Sequence, residues 1–208
     1  MEILLEPGEV NPDKPDKRGR TPLSYAASSG HEGVVKALLG REEINPDKPD
    51  SDGKTPLSHA ASFGQEGVVK IILGWEEVNP GEPDNSGQTP LSYAARNGHE
   101  GVVKILLGRK EASTDEPGND GQTPLSYAAW NGHEGVVKTL LGRREVSADM
   151  LDNDGQTPLL YAAWNRHEGV VRILLRREEV NADKPDKFRR TPLYFASERR
   201  HGGVVALL

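Results

Sequence analysis

The triplet Thr-Pro-Leu begins at Thr21, Thr55, Thr89, Thr123, Thr157 and Thr191, always 34 residues apart. A fixed period of this size means stacked copies of one small unit rather than a single globular core. Segments 86–109 and 120–143 agree at 21 of 24 positions, differing only at Ser86/Asp120, Arg96/Trp130 and Ile105/Thr139, the signature of duplication within one array. In each unit a Gly-bearing turn leads into Thr-Pro-Leu. A small-residue stretch and usually Gly-His follow, then Val-Val-x-x-Leu-Leu and a long polar segment.

Local chemistry assigns a shape to each part. The Thr21 hydroxyl can cap a helix, and Pro22 suits its first position, where the missing N–H has no helical partner to lose. Leu23, Ala26 and Ala27 share one face, and the two alanines keep it flat enough for another helix to approach closely. Gly30 ends this first helix. Val34, Val35, Leu38 and Leu39 give a second helix its apolar stripe. The segment after Gly40, rich in Pro, Asp and Gly, reads as turns and extended chain. Two helices of about eight to ten residues are marginal alone, so the stack must supply the core. Leu, Ile, Val and Phe number only 46 of 208 residues, close to the level at which disorder competes. Repetition removes that reading, because many thin apolar strips add up to one continuous core.

Gly-x-Thr-Pro-Leu, Ala-Ala-x-x-Gly-His, Val-Val-x-x-Leu-Leu and the following Val-Asn resemble the ankyrin repeat, six times in register over essentially the whole chain. The resemblance implies an all-α solenoid of stacked helix-turn-helix units with projecting β-turn fingers. One array then spans 1–208, with repeats beginning near 17, 51, 85, 119, 153 and 187, the last truncated. Residues 1–16 stand as the C-terminal part of a preceding repeat, because Leu5 to Val10 has the spacing of Leu39 to Ile44. The chain departs from the family at three places. Its period is 34 rather than 33. The usual His after Thr-Pro-Leu is Ser24, Ser58, Ser92, Ser126, Leu160 and Tyr194, and Arg166, Arg200 and Arg189 replace turn glycines. The Ser-Tyr-Ala-Ala variant and the Pro-Asp-Lys-Pro-Asp loops resemble long arrays of fungal proteins.

Reactive chemistry is sparse. The chain has no cysteine, hence no disulfide framework, thiolate metal site or cysteine nucleophile. His31, His99, His133, His167 and His201 occupy one repeat position, with Gln65 in the second repeat. Stacked repeats hold such side chains about 10 Å apart, too far to share an ion, so they are expected to brace the turn between helices. His59, on a first helix, is expected at or near the surface. Gly53-Lys54-Thr55 lacks the upstream Gly of a phosphate-binding loop, since Lys48 stands there. Serines 24, 58, 92 and 126 each have a His, or its Gln counterpart, seven residues on, but these are repeat echoes with no orienting acid at matching spacing. The reading is therefore no enzyme, no catalytic residue, no cofactor and no metal.

Positions that vary between repeats are free to recognise something. By resemblance, the two residues after Ala-Ala and the turn residues before Thr-Pro-Leu lie on the concave side. The first reads Ser28, Ser62, Arg96, Trp130, Trp164 and Glu198, the second Ser29, Phe63, Asn97, Asn131, Asn165 and Arg199. Neighbouring tryptophans beside an arginine are the composition of an interface hot spot. The candidate partner-binding set is Phe63, Arg96, Asn97, Trp130, Asn131, Trp164 and Asn165, with Gln122, Gln156, Asp120 and Asp154 from the turns. Finger charges sum to +2, −1, −2, −3, −3 and +2 from the first repeat to the sixth. The expected partner is a protein with a basic and apolar or aromatic segment, engaged around repeats three to five. Trp75 stands where other repeats carry a basic residue and is expected to be exposed but outside this surface.

A net charge of −6 argues against nucleic acid, whose binding is dominated by Lys and Arg. No apolar run is long enough to span a membrane and no secretory signal is evident, so the expected setting is intracellular and cytoplasmic, without a membrane partner. The ends lack polar caps. The chain is thus read as a piece of a longer protein or, alternatively, as a self-assembling solenoid that stacks through its ends.

Overall fold

The computed structural model describes residues 11–109 and 112–208. Among these residues the regular elements are twelve helices. The first helices of the repeats are α1 (Pro22–Ser28), α3 (Pro56–Ser62), α5 (Pro90–Arg96), α7 (Pro124–Asn131), α9 (Pro158–Trp164) and α11 (Pro192–Glu198). The second helices are α2 (Glu32–Leu39), α4 (Glu66–Ile72), α6 (Glu100–Leu107), α8 (Glu134–Leu141), α10 (Glu168–Leu174) and α12 (Gly202–Val205). Odd-numbered helices pack in sequence in one layer and even-numbered helices in a second. The proposed half-repeat at Glu2-Ile3-Leu4-Leu5 lies outside the described residues.

Except for the four-residue α12, the helices have seven or eight residues, at or just under the expected eight to ten, and the length follows from their brackets. At the start, the Thr21, Thr55, Thr89, Thr123, Thr157 and Thr191 hydroxyls each accept the amide three residues on, with Pro at the first helical position. The serine in the family's His position completes the cap, its hydroxyl 3.1–3.2 Å from the threonine's in the first four repeats. At the end, Gly64 and its equivalents take a left-handed conformation. A side chain at Gly64 would also meet the next repeat's His99 ring at 2.6 Å. Arg166, Arg189 and Arg200 hold the same left-handed geometry without being glycine, with φ of 63°, 63° and 56°. Each is strained by about 1–2 kcal/mol.

The core is the predicted one: Leu91, Ala94, Ala95, Val102, Val103 and Leu106 are buried, as are their counterparts in repeats two, four and five. The end repeats show which side each residue serves. Val34 is 46% exposed beside buried Val35, whereas Val205 is 37% exposed beside buried Val204. The first valine of the pair therefore packs toward the preceding repeat and the second toward the following one.

The histidines do more than brace their own turn. Nε2 of His99, His133 and His167 lies 2.9–3.0 Å from the carbonyl of Ser62, Arg96 and Trp130 in the repeat before. A carbonyl can only accept, so these rings carry their proton on Nε2. Gln65 does the same through its amide to the Ser28 carbonyl at 3.2 Å, which explains why Gln can stand there. His201 turns its Nδ1 to Ala163 instead, because Arg166 places a Cβ in the space that glycine leaves for the ring at other junctions. The Arg109, Arg143 and Arg177 guanidiniums likewise donate to the Leu73, Leu107 and Leu141 carbonyls one repeat back.

In the first five repeats each finger is bonded to its own first helix. In the third repeat Asp84 accepts the Ser86 and Gln88 amides with one carboxylate oxygen and the Tyr93 hydroxyl, at 2.5 Å, with the other. Neighbouring fingers join by single backbone bonds, such as Asn119 N–H to the Ser86 carbonyl at 2.8 Å. Asn85, Asn119 and Asn153 add a ladder of side-chain amides to the preceding finger's carbonyls. His59 occupies this tyrosine position, and its expected surface placement is corrected. It is buried, with Nε2 2.9 Å from Asp50. Burial depresses its pKa despite the carboxylate beside it. Burial also works against the Asp50 charge, but the Lys54 and Asp52 amides and the His59 ring outweigh it and hold the carboxyl below its usual range.

Candidate functional site

Flat alanine pairs bring the first helices close together, so residues just beyond them line up across the layer. Trp130, at the end of α7, sets its ring edge-on to Tyr161 with centroids 5.0 Å apart and tilts toward Trp164 at 6.1 Å. Trp164 in turn stacks on Phe195 at 4.3 Å and 21°, and the Arg199 guanidinium covers it at 4.9 Å. The line continues from Phe195 to Arg190 at 4.7 Å and from Arg190 to Phe188 at 4.8 Å. Upstream, Arg96 lies 5.5 Å from the centre of the Tyr127 ring. Two neighbouring tryptophans thus have different situations. Trp164 is covered by Phe195 and Arg199, while Trp130 remains 39% exposed.

Around Trp130 is a hollow of about 260 Å³ lined by Arg96, Asp120, Gln122, Tyr127, Trp130 and Asn131. Five of these six belong to the expected set. The sixth, Tyr127, is absent from it, although tyrosine recurs two residues after Thr-Pro-Leu at positions 25, 93, 127 and 161, where it could have been noticed. The fourth finger differs from the others because Gly118 replaces the usual Asp. Asp120 substitutes for it, accepting the Tyr127 hydroxyl at 2.9 Å and the Gln122 amide at 3.0 Å. It remains exposed, so its charge faces the hollow while its position is fixed. Burial, reinforced by Asp120, raises the Tyr127 pKa, and burial with Asp152 does the same for Tyr161. Both hydroxyls therefore stay protonated and act as donors to the fingers.

The remaining expected residues are placed less uniformly. Asn131 and Asn165 turn their amides back to the Tyr127 and Tyr161 carbonyls, closing helix ends. Asn97 reaches the Ser62 carbonyl at 2.9 Å in the preceding repeat. Gln156 is buried, and Asp154 is exposed. Phe63 is exposed two repeats away from Trp130, apart from the aromatic line. Finger charges are also partly spent within the array. Lys48 pairs with Asp13 at 2.7 Å and Lys184 with Asp149 at 2.8 Å, each across a junction. Burial raises the Asp115 pKa, although the Ser147 amide bonds its carboxylate. Asp152 is buried under Tyr161. Of the exposed finger carboxylates, Asp120 lines the hollow with Trp130, and the charge of Asp154 is felt at Tyr161 beside it.

Among the described residues no helix is long and apolar enough to cross a membrane. A family model described as "Ankyrin repeats (3 copies)" matches residues 1–80, 68–149 and 136–208. No curated protein matches the chain.

Proposed function

The chain belongs to the ankyrin-repeat family, whose repeats generally serve protein–protein interaction, and from that premise we propose that it is a non-catalytic recognition module binding a partner protein through the concave face around repeats three to five. The observation that carries this reading is the exposed Trp130 over the hollow made by Arg96, Asp120, Gln122, Tyr127 and Asn131. A large amphipathic ring held at a fixed angle by Tyr161 loses little freedom on binding, which is why such rings dominate interface energies. Trp164 supports it from behind rather than making the main contact. Asp120 and Asp154 set a preference for a partner segment that brings Lys or Arg together with an apolar or aromatic group, steering the encounter more than deepening the affinity.

Affinity capture of partners from a lysate, followed by titration of the captured protein, tests this. Trp130→Ala is expected to weaken binding at least about tenfold, which is about 1.4 kcal/mol. Trp164→Ala is expected to lower stability first and binding second. Binding unchanged by Trp130→Ala, with the fold intact by circular dichroism, would overturn the placement of the site.

A further inference from the structure

Trp75 follows α4 at the position where Arg109, Arg143 and Arg177 donate their guanidiniums to the preceding repeat's leucine carbonyl. An indole has one donor and a different reach, so the second repeat gives up the arginine staple there and instead presents a tryptophan 40% exposed. Its ring stands between two hollows of about 270 and 400 Å³ at the base of the second-helix layer, away from the first helices and their aromatic line. The hollows are repeat equivalents. Leu39, Ile44 and Pro46 line one, Leu73, Val78 and Pro80 the other, each pair 34 residues apart, and Trp75 is a wall of both. Arg41 and Arg109 also line the hollows, but Arg41 lies 3.8 Å from Glu43 and Arg109 donates to the Leu73 carbonyl, which leaves Glu42, Glu76 and Glu77 exposed along the rims without an ion pair among the described residues.

We propose that these two hollows with Trp75 between them are a second docking surface, for an extended partner segment with two apolar side chains three residues apart and Lys or Arg between and beside them. Spacing decides the conformation. Equivalent points on successive repeats are separated by about one helix diameter, ~10 Å. A polyproline II segment returns to the same face every three residues after about 9.3 Å, leaving the intervening side chains pointing away from the ridge. An α-helix covers that distance in seven residues, but its side chains at the third and fourth positions would then meet the Trp75 ring. A β-strand repeats its face after about 6.6 Å or about 13 Å and does not match the spacing of the two hollows. The glutamates on the rim select the cationic residues of the segment.

The probe is a fluorescein-labelled peptide, Lys-Leu-Pro-Lys-Leu-Pro-Lys, titrated against the full chain by fluorescence anisotropy. Saturable binding is expected for the wild type and equally for Trp130→Ala, since the two surfaces are separate. Trp75→Arg is expected to bind at least tenfold more weakly while melting no lower, because it introduces the array's own arginine staple. Glu76→Lys with Glu77→Lys, both on exposed positions, is expected to weaken binding at least tenfold as well, and covers the case in which Trp75→Arg fails to fold. A peptide with its leucines two residues apart is expected to lose at least tenfold. No saturable binding by the wild type, unchanged binding by Trp75→Arg or the double Lys variant, or loss of binding in Trp130→Ala would each overturn the proposal.

Discussion

The fourth repeat and the sixth start from the same plan and end in different states. Leu125 of the fourth is 1% exposed, whereas Leu193, its equivalent in the sixth, is 38% exposed. Tyr127 reaches Asp120 of its finger, while Phe195 has no hydroxyl to offer and Asp186 takes the Arg190 guanidinium instead, at 2.7 Å. The fourth repeat turns at Gly132; the sixth turns at Arg200 with φ of 56°. An apolar residue in such an array therefore has no fixed worth. Its contribution is set by whether a neighbour covers it, which is the nearest-neighbour behaviour expected of a stack.

Mutations can break this contrast or sharpen it. The largest difference is expected for Leu125→Ala against Leu193→Ala. The first empties a covered site and should cost about 2–5 kcal/mol, while the second should cost less than about 1 kcal/mol, read from urea unfolding. Similar losses at the two sites would mean that the stack is not governed by its junctions. Next comes the cap. Thr123→Ala removes the acceptor of the Ser126 amide and the partner of its buried hydroxyl, and is expected to cost about 1–2 kcal/mol. Thr191→Ala, at a position that lacks the serine, should fall nearer about 0.5–1 kcal/mol.

Smaller, and opposite in sign, is Arg166→Gly. Relief of the left-handed backbone is expected to return about 1 kcal/mol in thermal melts. With the Cβ gone, His201 should also swing to the Nε2 bond seen at other junctions, detectable in its ring nitrogen shifts. The smallest effect depends on pH and tests the second repeat against its tyrosine-bearing neighbours. Since burial lowers the folded-state pKa of His59, the unfolded chain takes up that proton first as pH falls below about 6.5, and stability drops. His59→Tyr removes this titration. Its urea midpoint should hold between pH 7.5 and 5 better than the wild type's, by of order 1 kcal/mol or less.

Features that depend on neighbours along the chain are legible in the sequence itself. Thr21 and Pro22 announce a helix start, the alanine pair announces a close approach, and the valine and leucine pairs announce the second helix. All act within a few residues, so their chemistry is written locally. The junction bonds were not legible, because the partner is so often a backbone carbonyl. Nothing about Ser62, Arg96 or Trp130 as residue types says that their carbonyls hold the next repeat's His. His59 was misread for a related reason: its meaning lies in sharing a repeat position with four tyrosines, and it differs from them in type. At the site, side-chain identity pointed to Arg96, Trp130 and Asp120. It could not separate Trp130 from Trp164, since only the stacking of Phe195 and Arg199 distinguishes them.

The bonds that join one repeat to the next also limit how far apart in the chain any two partners stand. The longest hydrogen bond among the described residues links His201 to Ala163, 38 positions away. Although the chain has 208 residues, no hydrogen bond among the described ones requires distant stretches to meet in order to fold. Loop-closure entropy grows with separation and slows the folding of proteins built on remote pairings. Here the search distance is that of a protein one-fifth the size, so lengthening the array by whole units would add stability without lengthening the search.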